Sequence, residues 1–168
     1  MRQFLVTLVA FCFMVTMSVA QTASVSLGTD DHDSSVPVEV SADSLEIDQD
    51  NGVAVFTGNV VITQDDLKLT APKVRITYDS AEGGSGDVEH MHATGGVTMI
   101  SPEEVVEARE AVFSVVDDTV VMTGDVIMTQ GDNAIAGERL DADLDAGTGV
   151  LTGGVRMIFT QDDKESGN

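Results

Sequence analysis

Two histidines and two acidic strings are the parts of this sequence whose residue types could do chemistry. His90 and His92 are two positions apart, so a β-strand would place both imidazoles on one face, where they could supply two ligands to a metal ion. No third ligand is specified near them, and two surface histidines on a strand are the simpler interpretation. We therefore predict no metal site at this pair.

The acidic strings at residues 48–52 and 141–145 have the alternating oxygen donors with which a calcium-binding loop begins. A loop of the EF-hand type also needs glycine at its sixth position and glutamate at its twelfth. The sixth residue is Val53 in one string and Ala146 in the other, so neither string fits. A hairpin turn and a charged outer strand face explain the two strings, and no metal ion is predicted.

The sequence lacks a nucleophile elbow, a phosphate-binding glycine loop and the spacing of a zinc motif. Paired carboxylates for glycoside hydrolysis stay open in a chain this acidic. Sugar-binding sites, however, usually present aromatic platforms, and aromatic residues make up only 4% of the chain. We predict that the protein is not an enzyme and has no catalytic residue and no cofactor. A polysaccharide-active β-repeat enzyme is the alternative, and it would show carboxylates or aromatic rings clustered on one exposed face.

The net charge restricts the partners of the chain. The sequence has 29 Asp and Glu residues against 8 Lys and Arg, a formal net charge of −21 at pH 7. Nucleic-acid binding needs clustered Lys and Arg to neutralise phosphates, so no nucleic acid is expected as a partner. Adhesion to an anionic membrane by charge is disfavoured for the same reason, and the acidity is best explained by solubility.

The N-terminus has the three parts of a secretory signal. Arg2 supplies the basic start, residues 4–19 form a mostly apolar run, and Ser18 and Ala20 are the small residues that precede a cleavage site. The run is short for a membrane span of roughly 20 residues, although an uncleaved anchor is the alternative. We predict a signal peptide over residues 1–20 and export of the chain. Cys12, the one cysteine, lies inside this segment, so the exported chain would form no disulfide.

A four-residue phrase divides the rest of the chain into repeats. The phrase is Thr-Gly, one variable residue and Val, and it begins at Thr57, Thr94, Thr123 and Thr152. The last three copies are about 29 residues apart, and a glycine-rich inserted loop at residues 79–87 explains the longer first interval. These repeats predict a β-domain over residues 37–160, preceded by a flexible acidic leader at 21–36 and followed by a polar tail at 161–168.

Alternation of apolar and polar residues follows each phrase, as in strands with one buried face. The glycine of each phrase interrupts a strand pattern, which predicts a bulge or a sheet corner. Residues 102–110 (PEEVVEARE) have helix-forming residues, but their position in the repeat favours a strand. The residues that strand parity assigns to the inner face are Val60, Ile62, Val97, Met99, Val126, Met128 and Met157.

Strands with one apolar face must stack or close to bury that face, and clean alternation is typical of antiparallel sheets. We therefore predict an all-β protein, an antiparallel sheet built from about 29-residue repeats and folded over an aliphatic interior in the manner of a jelly roll. The alternation alone does not decide whether part of this interior stays open as a groove.

Three stretches of the chain are typical of a known family. They are VSADSLEI at residues 40–47, FTGNVVITQ at 56–64 and VVMTGDV at 120–126. They resemble the LptA/OstA family of periplasmic lipopolysaccharide-transport proteins, and the similarity extends over about residues 38–159. Four Thr-Gly phrases in register, together with a signal sequence, make this resemblance more specific than any single phrase.

The resemblance implies a V-shaped, twisted β-jelly roll that is open at both ends and stacks head to tail into homo-oligomers. The implied role is a periplasmic bridge that carries lipopolysaccharide from the inner to the outer membrane, with the lipid A acyl chains sliding along the hydrophobic interior. The implied protein partners are the inner-membrane-anchored and outer-membrane β-jelly-roll proteins of the same transport system. The lipid-facing positions that the resemblance adds are Val38, Val40, Leu45, Ile47, Phe113 and Val115.

A structural β-repeat scaffold of the cell envelope, without lipid cargo, is the alternative to transport. An aliphatic core has the same sequence pattern whether it is dry or filled with lipid. The scaffold predicts a fully packed interior, whereas the transport protein predicts an interior that lipid can enter.

Overall fold

A computed structural model describes residues 22–26, 36–79 and 86–159, and all regular secondary structure in these ranges is β-strand. The predicted signal peptide, the tail at 161–168 and most of the inserted loop lie outside the described residues. The strands of the described part are β1 Thr22–Ser26, β2 Glu39–Ser41, β3 Ser44–Asp48, β4 Val53–Gln64, β5 Leu67–Tyr78, β6 Val88–Ile100, β7 Glu104–Ser114, β8 Thr119–Gln130, β9 Asn133–Asp143, β10 Thr148–Thr152 and β11 Arg156–Ile158.

The strands form one antiparallel sheet. β4 to β9 are neighbours in chain order and form its body. At each end the outermost long strand is flanked by two short ones, because β2 and β3 share the edge of β4 and β10 and β11 share the edge of β9. β1 lies outside β10. The predicted all-β antiparallel class is confirmed, while the V shape implied by the resemblance stays a prediction.

The hairpin turns lie where the acidic and glycine-containing turn sequences predict them. Gly52, Gly131 and Gly147 have φ between 56° and 61°, and Asp65 and Asp118 have φ of 50° and 47°. Tight hairpins need such left-handed positions, which glycine adopts freely and aspartate tolerates. Each turn therefore reverses the chain within a few residues and keeps consecutive strands adjacent.

The Thr-Gly phrases are β-bulges, as predicted. In β4, β6 and β8 the phrase contributes one residue more than the neighbouring strand, and the register shifts there. The two residues after each threonine have positive φ, for example 81° at Gly58 and 45° at Asn59. Bulges bend the strand that carries them. Because the phrases are in register in alternate strands, they form a line across the sheet, which we call the fold line.

The fold line divides the sheet into two halves. The first half contains β1, β3, β10 and the adjoining segments of β4–β9, and the second half contains β2, β11 and the remaining segments of β4–β9. Buried side chains of both halves belong to one core, with Val74 and Met122 from the first half and Val60 and Met99 from the second. The sheet is therefore folded over, with its two inner faces packed against each other.

Residues 102–110, whose composition also suits a helix, contribute most of their length to β7. Val106, Ala108 and Ala111 in this strand are buried, and Arg109 and Glu110 are exposed. A helix would not produce this pairing with β6 and β8 on both sides. The prediction of a strand is confirmed.

The prediction of a flexible leader over residues 21–36 is wrong for Thr22–Ser26. These residues form β1, which pairs antiparallel with β10 and sets Ala23 opposite Leu151. Val25 is partly buried and packs against the core. The segment gave only a weak strand signal because its apolar residues are small and alternate with serine and threonine.

Candidate functional site

The inner face of the first half carries two uninterrupted apolar rows. Directly opposite residues in antiparallel neighbours share one face of the sheet, so each row crosses every strand from β3 to β10. Row A consists of Leu45, Phe56, Val74, Ala93, Ala111, Met122, Leu140 and Leu151. Row B consists of Ile47, Ala54, Ile76, Met91, Phe113, Val120, Ala142 and Gly149.

The inner face of the second half carries a third apolar row, from β2 to β11. Row C consists of Val40, Ile62, Leu69, Met99, Val106, Met128, Ile135 and Met157. Next to the bulges lie three further apolar pairs, which are Val60–Ala71, Val97–Ala108 and Val126–Gly137. At a strand spacing of about 4.8 Å, a row of this kind is about 34 Å long.

Burial along the rows is deep in the middle of the sheet and at the β10 end, where Leu151 is fully buried, and it is shallow at the β3 end and at both ends of row C. Val74, Met122 and Leu140 are fully buried. Leu45 and Ile47, at the β3 end of rows A and B, are 50% and 56% exposed. Among the described residues, β3 has no neighbour on its outer side, which explains this exposure, whereas β1 covers the outer side of β10. The apolar interior is thus closed at its centre and under β1, and it is accessible at the β3 end and at both ends of row C.

The structure brings most of the predicted site residues together on this inner face. Val40 and Val115 are partly buried against the core, and Val38 lies just before β2 with 39% of its surface exposed. Leu45, Ile47 and Met157 are on the inner face but exposed at the edges. The predicted residues that are buried are Val60, Ile62, Val97, Met99, Phe113, Val126 and Met128.

Sequence reasoning missed several inner-face residues in the segments before each bulge. Met91 and Met122 are examples, and both lie an even number of positions before the inner-face valine of the same phrase, so parity could have found them. In β7 the buried positions shift from Ala108 to Ala111, three residues apart, where the strand passes the neighbouring bulges. Simple alternation fails at that shift, so counting forward from Val106 would have assigned Phe113 to the wrong face.

A cavity lies between the two halves. Ile62, Leu69 and Met99 line it from the second half, and Met91 and Phe113 line it from the first. Its volume is about 60 Å³, and a single water needs roughly 10–15 Å³ of such space. By this measure the cavity has room for a few water molecules, so a long acyl chain needs more space than it offers with the two halves in this position.

The outer face carries ion pairs, one between β7 and β8 and one within β9. Arg109 donates to the Asp125 carboxylate, and the Arg139 Nε donates to Asp141 at 2.7 Å. Each carboxylate raises the pKa of its arginine, chiefly through the side-chain hydrogen bond. These pairs are exposed to solvent, so each contributes little to stability. They lie on the outer face of the sheet and do not define a binding site.

The candidate histidines also lie on the outer face. His92 Nε2 is 3.4 Å from a carboxylate oxygen of Glu110 on β7, and both side chains are about half exposed. His90 is exposed on the same strand. In the part of the chain that the structure describes, no group of three or more His, Cys, Asp or Glu residues is placed to hold a metal ion.

Over the described ranges, no helix is long and apolar enough to cross a membrane.

The fold and its interior define a class of β-protein in which one antiparallel sheet folds along a line of bulges around an apolar interior. Residues 39–148 match the family described as LptA/(LptD N-terminal domain) LPS transport protein. The match covers well over half of the chain, and the chain belongs to this family.

Two relatives with curated sequences are 26% and 28% identical to this chain over the regions that match. A Rhizobium meliloti (strain 1021) protein of uncharacterised function is 26% identical over 120 residues, which is 68% of this chain and 64% of that protein. The lipopolysaccharide export system protein LptA of Escherichia coli (strain K12) is 28% identical over 111 residues, 64% of this chain and 60% of that protein. The matched regions therefore span less than two thirds of these relatives.

A solved structure shares the fold. The crystal structure of LptH, the LptA-homologous periplasmic component of the lipopolysaccharide transport device of Pseudomonas aeruginosa, superposes with a TM-score of 0.65. The sequences are 24% identical, and the superposition covers 77% of this chain and 99% of the LptH chain. The names of the E. coli and P. aeruginosa proteins describe export and transport, not catalysis.

Proposed function

We propose that this chain is a periplasmic lipopolysaccharide-binding protein that carries lipopolysaccharide from the inner to the outer membrane. The acyl chains of lipid A would lie against the inner face of the folded sheet, along rows A, B and C. Membership of the transport family supports the proposal, as do the periplasmic and export roles named for its relatives.

The observation that carries the proposal is the continuity of the apolar rows. No polar side chain interrupts rows A to C between one edge strand and the other. Moving an acyl chain through water costs about 0.8 kcal/mol per CH₂, so roughly 10 kcal/mol for a dozen carbons. A continuous aliphatic surface removes this cost, and its non-directional contacts let the lipid slide without breaking fixed hydrogen bonds.

Opening of the interior would break few specific interactions. Among the described residues, the backbone hydrogen bonds outside the strand ladders lie in turns, at the fold line or beside neighbouring strands, as between the Val115 N–H and the Glu89 oxygen at 3.0 Å. The Gln64 amide likewise donates to the Val36 oxygen within the second half. The halves face each other through apolar side chains such as Met99 and Phe113, which an entering acyl chain could replace with equivalent contacts.

Export and assembly complete the proposed role. The signal peptide at 1–20 would be cleaved after Ala20, and this cleavage would leave the chain in the periplasm. Open sheet edges can pair with the strands of another chain. The β2–β3 edge and the β10–β11 edge would therefore stack copies head to tail and join the inner-membrane-anchored and outer-membrane proteins of the same system.

A structural envelope scaffold is the second candidate, because the cavity of about 60 Å³ is what a packed, dry core would contain. The same sheet would then assemble by its edges without lipid. The two functions differ in a single physical property, which is whether lipid reaches the inner face.

Photo-crosslinking tests that property. A photoreactive amino acid replaces Phe113 on row B or Val40 on row C in the mature protein, which is then mixed with purified lipopolysaccharide and irradiated. Matched controls carry the same residue at Arg75 and Asp143, both of which are exposed on the outer face. Circular dichroism establishes that each variant is folded.

Adducts at Phe113 and Val40, without adducts at the outer controls, are the expected result. Labelling of the controls alone, or no labelling of folded protein at either inner position, would reject transport and leave the scaffold. Val40 keeps the test decisive if the buried Phe113 site does not accept the larger side chain, because Val40 is only partly buried on an edge strand.

A further inference from the structure

The sheet ends unevenly because of β1. Without β1, the first half consists of β3, the six strands β4–β9 and β10, and the second half consists of β2, the same six strands and β11. Both halves then contain equal numbers of strands and would end flush at each edge. Among the strands that the structure describes, β1 pairs with β10 alone and adds one extra strand to the first half.

β1 occupies the position that β3 of a second copy would take in a head-to-tail stack. Strand directions alternate from β3 through β4–β9 to β10, and β1 continues the alternation by running antiparallel to β10. The β3 strand of a second copy, placed beside β10 in the same orientation, would also run antiparallel to it. At the same junction, β2 of the second copy would run antiparallel to β11.

The side chains of β1 follow the same pattern as those of β3. Ala23 lies opposite Leu151 and extends row A, and Val25 lies opposite Gly149 and extends row B. In β3 these two rows are held by Leu45 and Ile47. β1 is therefore a smaller version of β3, with alanine and valine where β3 has leucine and isoleucine.

We propose that β1 is a reversible cap on the β10 edge that imitates β3 and is displaced by β3 of a second copy when copies stack. This inference rests on the head-to-tail assembly in the proposed function, and it adds a step that regulates that assembly. In the single chain, β1 covers an edge that would otherwise be open to any extended strand. In the stack, the cap must leave before β10 can pair with its new neighbour.

Two features favour β3 of a second copy over β1. Leu45 and Ile47 are about half exposed at the free β3 edge, and docking would bury them against the β10 end of rows A and B. Docking on β10 also brings β2 beside β11, so both halves pair at once. If β1 stayed in place, a gap of one strand, about 4.8 Å, would separate β2 from β11.

Removal of the cap is the first test. The mature chain beginning at Gln21 is compared with a chain that begins at residue 27 and therefore lacks β1, using sedimentation velocity over a concentration series. The shortened chain is expected to self-associate at a concentration about tenfold lower or less. Its circular dichroism should match that of the mature chain, since β1 contributes only five residues at the edge.

A reversible lock is the second test. Ser24→Cys and Val150→Cys place two thiols at directly opposite positions of β1 and β10 on the outer face. The native Cys12 lies within the predicted signal peptide, so no other thiol competes in the mature chain. The oxidised form is expected to stay monomeric at concentrations at which the reduced form associates. Thr70→Cys and Thr98→Cys, at directly opposite positions of β5 and β6, form the control pair. Oxidation of this pair is expected to leave association unchanged.

Equal association of the mature and shortened chains would overturn the cap, and so would association of the oxidised lock. Weaker association of the shortened chain would also overturn it and would mean that β1 joins one copy to the next. If no form associates, β3 of a second copy does not displace β1, and the inference fails. Crosslinking of lipopolysaccharide at Phe113 in the same samples then reports separately whether the proposed transport function survives.

Discussion

At the residue scale, the fold line depends on two consecutive positive φ angles in each Thr-Gly phrase. The first position is always glycine, and the second is Asn59, Gly96, Asp125 or Gly154, which are residue types that tolerate left-handed φ. A Cβ at the first position would also meet the neighbouring strand, as at Gly153, where it would lie 2.5 Å from Cβ of Glu138. Backbone conformation and close approach together therefore explain why this glycine recurs.

Gly153 and Gly154 allow these two effects to be separated. Gly154 has φ of 64° and open space where a Cβ would lie, whereas Gly153 has φ of 85° and the close Glu138 contact. Gly154→Ala should lower the free energy of unfolding by about 1 kcal/mol through backbone strain alone. Gly153→Ala should cost about 2–4 kcal/mol, because the neighbouring strand must also shift. Urea unfolding measures both, and equal losses would mean that the contact is relieved without cost.

The fully buried residues of row A provide a second test at this scale. Leu140→Ala should lower the free energy of unfolding by about 2–5 kcal/mol, because the change removes a buried side chain and leaves a cavity. Ile127→Ala, on the outer face of β8 with 41% of its surface exposed, is the matched control and should cost less than about 1 kcal/mol. Chemical denaturation is again the measurement. A small effect at Leu140 would show that the two halves close over the missing side chain.

At the scale of elements, the turn between β3 and β4 holds β3 in place at the edge of the sheet. The Asp48 carboxylate accepts hydrogen bonds from the Asn51 side chain at 2.7 Å and from the Asn51 backbone N–H at 3.1 Å. These bonds lower the pKa of Asp48, with the side-chain bond as the larger cause. Because a lowered pKa stabilises the charged form, the hairpin is supported above the ordinary carboxyl pKa and loses that support as the pH falls through the lowered value.

Asp48→Ala should therefore increase hydrogen exchange of the β3 amides at neutral pH without a comparable change in β6–β8. Asp48→Asn keeps an acceptor oxygen but loses the charge, so its effect should be intermediate. At a pH below the lowered pKa of Asp48, the wild type and Asp48→Asn should exchange alike, since both are then neutral. A difference between them that persists at that pH would assign the effect to side-chain shape and not to charge.

The limits of sequence reasoning also lie at the scale of elements. The Thr-Gly phrases predicted the bulges, and the alternation after them predicted Val60, Val97 and Val126 on the inner face, because bulge and strand parity are local properties. β1 could not be predicted in this way. Its partner β10 is distant in the sequence, and pairing is decided by an edge that exists only after the sheet has formed. Tertiary context, not local propensity, determined that element.

At the scale of the whole molecule, negative charge surrounds a sheet whose edges are apolar. The formal net charge is −21, so copies that approach each other repel. Leu45 and Ile47 would provide the opposing attraction by becoming buried at the junction. Assembly is therefore expected to be a balance between long-range repulsion, which salt screens, and short-range burial of apolar side chains, which screening does not weaken.

Raising the sodium chloride concentration should consequently strengthen self-association. The Debye length falls from about 30 Å at 0.01 M to about 3 Å at 1 M, so the repulsion between copies is almost removed over this range. Sedimentation velocity of the mature chain at both concentrations measures the effect. Glu46→Lys, which reverses a charge between Leu45 and Ile47 on β3, should associate more tightly at low salt and respond less to added salt. Association that weakens as salt rises would mean that ion pairs between the edges, and not the burial of Leu45 and Ile47, hold the copies together.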